Sequence, residues 1–283
     1  MTLTTTVVAG LTERLAAEAR RASYADAVRD ALAVVMDPEL DEPITDLGFV
    51  RSVAVDEAGG VEVHLRLPTS FCSPNFAYLM ASDSKDVLAA LPWTRTVVVQ
   101  LDDHHDSDKI NAGLAADAGY RGTFGHEAEQ DLEELRETFR RKAHTAAMER
   151  CLTALVRAEP DRPLDTLGQV VLDDLPRGPH TEALLRRREA VGLPLSGTSP
   201  VLVDHAGTRP YDVPMALRRA RSTRISIDGN AHFCRGLLRT RYPGSEDDQV
   251  HRTDGAEPAD VSYDPTFIPL TSLLTPPAKE NPR

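Results

Sequence analysis

The chemistry in this sequence begins with a thiol in a loop. Cys72 sits in the stretch LPTSFCSPNF, from Leu67 to Phe76, directly ahead of a segment whose pattern reads as a helix starting near Pro74. A thiol there faces the free N–H groups and the positive dipole end of that helix, conditions that favour the thiolate needed for metal binding or nucleophilic attack. The hydroxyls of Thr69, Ser70 and Ser73 are placed to donate hydrogen bonds to the same sulfur. Asp37, Glu39 and Asp46 belong to the preceding stretch MDPELDEPITDLGFV, from Met36 to Val50, which a hairpin would return to the same end of a sheet. Carboxylates repel a thiolate, and a bound cation reverses that penalty, so the combination favours metal binding over nucleophilic catalysis. The residue types alone also fit a buried free cysteine, with Asp37 and Asp46 as turn or cap residues. A thiol enzyme using Cys72 would need a positioned base, and none is identifiable.

Two further groups carry donors. His104 and His105 lie among Asp102, Asp103, Asp106 and Asp108, a set suited to Fe(II) or Zn(II) and equally compatible with a solvated loop. His232 and Cys234 are one residue apart, too close for consecutive helical turns to present both, although a loop before a helix starting at His232 can. With Cys72 they would give a mixed sulfur and nitrogen ligand set, Cys72, His232 and Cys234, if these distant segments converge, which spacing alone does not show. Cys151, flanked by Met148, Leu152 and Leu155, reads as core. Arg218, Arg219, Arg221 and Arg224 could recognise carboxylates or phosphates, and the run Arg186, Arg187, Arg188 reads as a solvated face, with partner docking as the alternative.

The elements that must position these residues follow from hydrophobic spacing. Tyr24, Val28, Ala31, Leu32 and Val35 mark a helix ending near Met36, before Asp37-Pro38. Two alternating segments, Phe49 to Val55 and Val61 to Leu67, flank Gly59-Gly60 and read as a β-hairpin. A helix over 75–91 and a strand over 96–101 complete an αββαβ order, which gives a small two-layer α+β domain over 22–120 once a short helix over 107–118 is added. A mainly α-helical region over 127–242 follows, opened by a long amphipathic helix over 127–158. It contains a helix from His232 to about Thr240. The acidic, Pro-rich remainder, 243–283, reads as an extended or disordered tail.

Composition narrows the function classes. The 283 residues carry 44 acidic against 32 Lys and Arg side chains, a net charge of −12, so a broad nucleic-acid footprint is not expected. The Arg clusters lack interleaved aromatics, in keeping with that. No apolar run is long enough to span a bilayer, no basic export signal opens the chain, and three widely spaced cysteines fit a reducing compartment. The expected address is the cytoplasm, and the strong preference for Arg over Lys fits a bacterial source. The chain contains no Walker loop, GxGxxG after a strand, GxSxG elbow, HExxH or paired CxxC, so an enzyme of those classes is not expected.

The segment from about Ala22 to Leu101 resembles the iron-sulfur cluster assembly domain family of SufT and PaaD type. The resemblance rests on Asp37-Pro38-Glu39 after the first helix, then Asp46-Leu47-Gly48, the hairpin, and the loop holding Thr69 and Cys72. It implies a domain that holds iron or an iron-sulfur cluster at its loop cysteine and delivers it to a client metalloprotein. Family members commonly have proline directly after the cysteine, whereas Ser73 intervenes here before Pro74. The continuation DDHHDSDKINAGLAADAGY resembles members encoded with bacterial soluble di-iron monooxygenases, which implies a di-iron hydroxylase or its iron-sulfur reductase as client. One protein thiolate leaves coordination positions open, so a homodimer around Cys72 is expected. The alternative is a metal-free chaperone for such a monooxygenase, with its function in the helical region. Nothing in the sequence fixes the nuclearity of the cargo.

Overall fold

The computed structural model describes residues 19–127 and 132–250. Helix α1, over 19–32, buries Val28 and Leu32 completely and stacks Tyr24 on Trp93 at 4.2 Å between ring centroids. It ends at Leu32, short of the end near Met36 expected from Asp37-Pro38. The chain turns instead into two short antiparallel strands, β1 (Met36–Asp37) and β2 (Glu42–Pro43), that close the DPELDE turn. Strands β3 (Val50–Val55) and β4 (Gly60–Arg66) form the antiparallel hairpin. Gly59 takes φ +87° at its tip, and a Cβ there would lie 2.6 Å from the Trp93 carbonyl, so both conformation and space require glycine.

Helix α2 (Pro74–Ala89) carries the chain across to β5 (Thr96–Asp102), which pairs parallel with β4 in the order β3-β4-β5. Parallel pairing of successive strands needs such a crossover. Val61, Val63 and Leu65 alternate along β4 toward a core shared with Val99, Leu101, Ala77, Met80 and Leu88. The αββαβ domain is therefore present as read, extended by α3 (Ser107–Ala115) and α4 (Gly119–Phe124).

Beyond it the chain is helical: α5 (Leu132–Ala158), two 3-10 turns (Leu164–Gln169 and Leu172–Asp174), α6 (Pro179–Ala190) and α7 (Val213–Arg241). A second core gathers Met148, Cys151, Leu152, Leu155, Leu184 and Val201. Cys151 is core, as its neighbours in sequence imply. Among the described residues no helix is long and apolar enough to cross a membrane.

Three expectations change here. The helix expected to start at His232 starts at Val213, with Asp212 accepting from the Met215 N–H as its cap at 2.9 Å. Its first half lacks a strong local signal because it is held by packing on α5, where Arg224 pairs with Glu149 and Asp228, and Arg150 with Asp228 at 2.7 Å. Arg224 is thus engaged inside the molecule. Of the run Arg186 to Arg188 only Arg186 is solvated: Arg187 pairs with Asp41 at 2.7 Å and Arg188 is buried. The tail expected over 243–283 is described only to residue 250, and that part is docked. Ser245–Asp248 form a 3-10 turn, and the Val250 N–H donates to the Asp46 carbonyl at 2.9 Å.

α5 also holds a fully buried histidine. Both ring nitrogens of His144 are shut off from solvent without a hydrogen-bond partner. Desolvation, then the charge of Arg188, push its pKa down to about 4. The unfolded chain takes up this proton near pH 6.5 and the folded chain does not, so the contribution is complete above 6.5 and is lost as pH falls toward 4. Wild-type protein should therefore lose up to about 3 kcal/mol across that window from this group. Urea titrations at several pH values on wild type and His144→Leu check this; an unchanged pH slope in the variant would refute it.

Candidate metal centre

Cys72 is half-buried, directly before Ser73, the N-cap of α2. Thr69 Oγ1 lies 3.5 Å from Cys72 Sγ and accepts the Phe71 N–H at 3.2 Å. With a Cys72 thiolate, the hydroxyl hydrogen is free to be donated to the sulfur. His104, buried after β5, receives the Asp106 N–H on Nδ1 at 3.1 Å and has Nε2 2.8 Å from the Cys72 carbonyl. The accepting Nδ1 leaves the proton on Nε2, so the ring donates to the backbone of Cys72. His104 thus positions the thiol loop, with both nitrogens occupied. His105 is exposed against Phe71, and its N–H ties the loops together through the Ser70 carbonyl at 2.9 Å.

The DPELDE turn flanks this loop. Asp37 is buried, and its Oδ1 accepts the N–H groups of Glu39 and Leu40, each at 2.9 Å. Burial nevertheless lifts its carboxyl to about 7, with Glu39 and Glu42 adding to the rise. Asp46 shifts the same way by burial, while Thr45 hydrogen-bonds its Oδ1 at 3.2 Å.

α7 closes the site. Cys234 and Cys72 pack against the same hydrophobic cluster. Burial, then the charges of Asp37, Cys72 and Glu39, push the Cys234 thiol up to about 12. The two thiols and the acidic turn are thus brought together. His232 is not part of this group: it is exposed, and one intervening residue on a helix turns its side chain about 200° from that of Cys234. Among the described residues no group of three or more His, Cys, Asp or Glu side chains is disposed to hold a metal ion. Cys72 and Cys234 are soft donors of the kind that iron in a cluster takes.

Residues 25–101 match the family described as iron-sulfur cluster assembly protein. An uncharacterized protein of Methanocaldococcus jannaschii is 32% identical over 87 residues, covering 31% of this chain and 90% of that one. The chain belongs to the iron-sulfur cluster assembly protein family. The iron-sulfur cluster carrier protein of Mycobacterium leprae is 36% identical over 99 residues, 34% of this chain and 25% of the relative. The carrier of the same description from Mycobacterium tuberculosis H37Rv is 37% identical over 83 residues, 29% of this chain and 21% of the relative. The chain therefore spans about a quarter of the first carrier's length and a fifth of the second's.

The helix that closes the assembly domain's site lies outside the matched region, and its contacts were not read from sequence. Arg235 forms a forked ion pair with Glu42, 3.0 Å at Nη1, and Glu42 is buried. Asn230 donates to Glu39 at 3.1 Å. Arg241 donates to the Leu67 carbonyl at 3.1 Å, to Ser70 Oγ at 2.8 Å and to the Asp103 carbonyl, stapling the thiol loop to the loop after β5. An acidic turn in one region and regularly spaced arginines in another were the available signal. Arg235→Met removes the forked ion pair from buried Glu42 and should cost about 3–5 kcal/mol. The double change with Glu42→Leu should recover most of that loss. Thermal unfolding of the three proteins reads this, and equal destabilisation in single and double variants would contradict it.

Proposed function

We propose that this protein is an accessory factor for metallocentre maturation that acts in the cytoplasm. It binds iron or a labile iron-sulfur cluster at Cys72, with Cys234 as a second thiolate, and delivers it to a client. The observation that carries the reading is the convergence of Cys72 and Cys234 beside Asp37 and Glu39. A soft cation turns mutual repulsion of thiolates and carboxylates into attraction, and displaces the proton that burial holds on Cys234. Two protein ligands leave the remaining positions to a second copy, a small thiol or the client, which makes the cargo transferable. No disulfide joins the three cysteines, in keeping with a reducing compartment. The role is that of a carrier, not of an enzyme. The resemblance of residues 102–120 to monooxygenase-associated members supports a carboxylate-bridged di-iron hydroxylase, or its reductase, as client.

Anaerobic reconstitution with iron and sulfide tests the site. Wild type should hold iron, Cys72→Ser should lose it, and Cys234→Ser should release it faster to a chelator. Thr69→Val, which removes the hydroxyl from the sulfur, should weaken retention about tenfold or more. Unchanged iron content in Cys72→Ser would sink the assignment. Mass measured with and without iron reports whether a second copy completes the site. Co-expression with hydroxylase subunits separates the roles: soluble but iron-free hydroxylase with Cys72→Ser supports delivery, whereas full rescue supports a metal-free chaperone. The chaperone reading draws on Phe71 and Phe233, which are 82% and 70% exposed.

A further inference from the structure

Among the described residues Arg188 is a charge without a counter-charge. It is 1% exposed on α6, and its guanidinium donates only to carbonyls: Nε and Nη2 to Pro194 at 3.0 and 2.8 Å, Nη1 to Pro200 at 3.0 Å. Those bonds use three of the five N–H donors of an arginine and leave two. Among the described residues no carboxylate pairs with it. Asp204, in the neighbouring loop, turns its Oδ1 to the N–H groups of Ala206 and Thr208, each at 2.9 Å. Carbonyl dipoles solvate a buried cation but do not neutralise it, and a buried unneutralised charge is costly.

Arg188 lines a cavity of about 400 Å³, walled by Leu193, Pro194, Pro200 and Val203 and edged by His205. That volume suits a small metabolite. His144 lies within electrostatic reach of Arg188 with both nitrogens unpartnered, and His205 is exposed at the rim. The cavity therefore has a buried cation against its wall, an imidazole at its edge, and apolar surface between them. Nothing at the cysteine site uses any of these groups.

We infer that this cavity binds a small oxyanion-bearing metabolite, a carboxylate or phosphate whose anionic group neutralises Arg188 and meets His205 at the rim. A guanidinium suits either group through paired N–H bonds. The loop over 192–207 is built around Arg188, so occupancy stabilises the helical region against which α7 packs.

Thermal unfolding of the full chain tests this, with inorganic phosphate and succinate as probes and chloride at matched ionic strength as control. At about a hundredfold excess over Kd, the binding anion should raise Tm by roughly 5 °C. His205→Glu places a carboxylate at the exposed rim without touching the folded core. It should remove the anion-dependent shift and raise Tm in its absence. Arg188→Met should also remove the shift, and His205→Glu keeps the test valid if that variant does not fold. A response to phosphate alone assigns a phosphate ester, to succinate alone a carboxylate, and to both a shared oxyanion site. No shift beyond chloride with either probe would overturn the proposal, as would an equal shift in His205→Glu.

Discussion

The register of α7 against the assembly domain depends on one buried ion pair. The DPELDE turn gathers Asp37, Glu39 and Glu42 where little water reaches, and uncompensated negative charge there would oppose folding. Arg235 compensates Glu42 with a two-pronged contact that tolerates little rotation or sliding of the helix. Cys234 is its neighbour in sequence, so the contact that neutralises the turn also places the second thiol. At the end of the same helix Arg241 fixes the loop that holds the first.

α7 also joins two cores. Ala220 belongs to the cluster built on α5 and α6, while Ala231 and Leu238 belong to the cluster of the assembly domain. A helix of 29 residues is about 43 Å long, enough to serve both. The chain after it returns along the same surface, with Asp248 pairing with Arg66 at 2.5 Å. Gly48, at φ +76°, leaves room for that approach: a Cβ there would lie 3.0 Å from Gln249 and 3.4 Å from Leu238. The helical region is thus an integral wall of the site.

The assembly domain was legible because its signals are local. Pro38, the hairpin glycines and the alternation along β3 and β4 each act within a few residues, and they fix α1, the hairpin and the position of Cys72 at the entry to α2. The first half of α7 was not legible for the opposite reason. Ser222, Thr223, Ile225 and Gly229 weaken local helical preference, and the helix forms because Arg224 and Asp228 meet charges from α5, far away in sequence. His104 shows the same limit within the site. Its donor-rich surroundings suggested a ligand, whereas the fold spends both ring nitrogens on the backbone that presents Cys72.

Electrostatics give the cysteine site its direction of change. Without a cation, burial and the neighbouring negative groups keep the Cys234 proton in place, and Asp37 holds its own up to about 7. A soft cation bound by both thiols would make those carboxylates favourable neighbours and would release the thiol proton. Loading would add a thiolate–cation–carboxylate attraction between α7 and the turn that the protonated thiol does not supply. Unloading would return the proton to Cys234. In the proposed carrier role, the helix that supplies the second thiol is therefore the element whose grip changes with cargo, and α5 and α6 hold it near the site in either state.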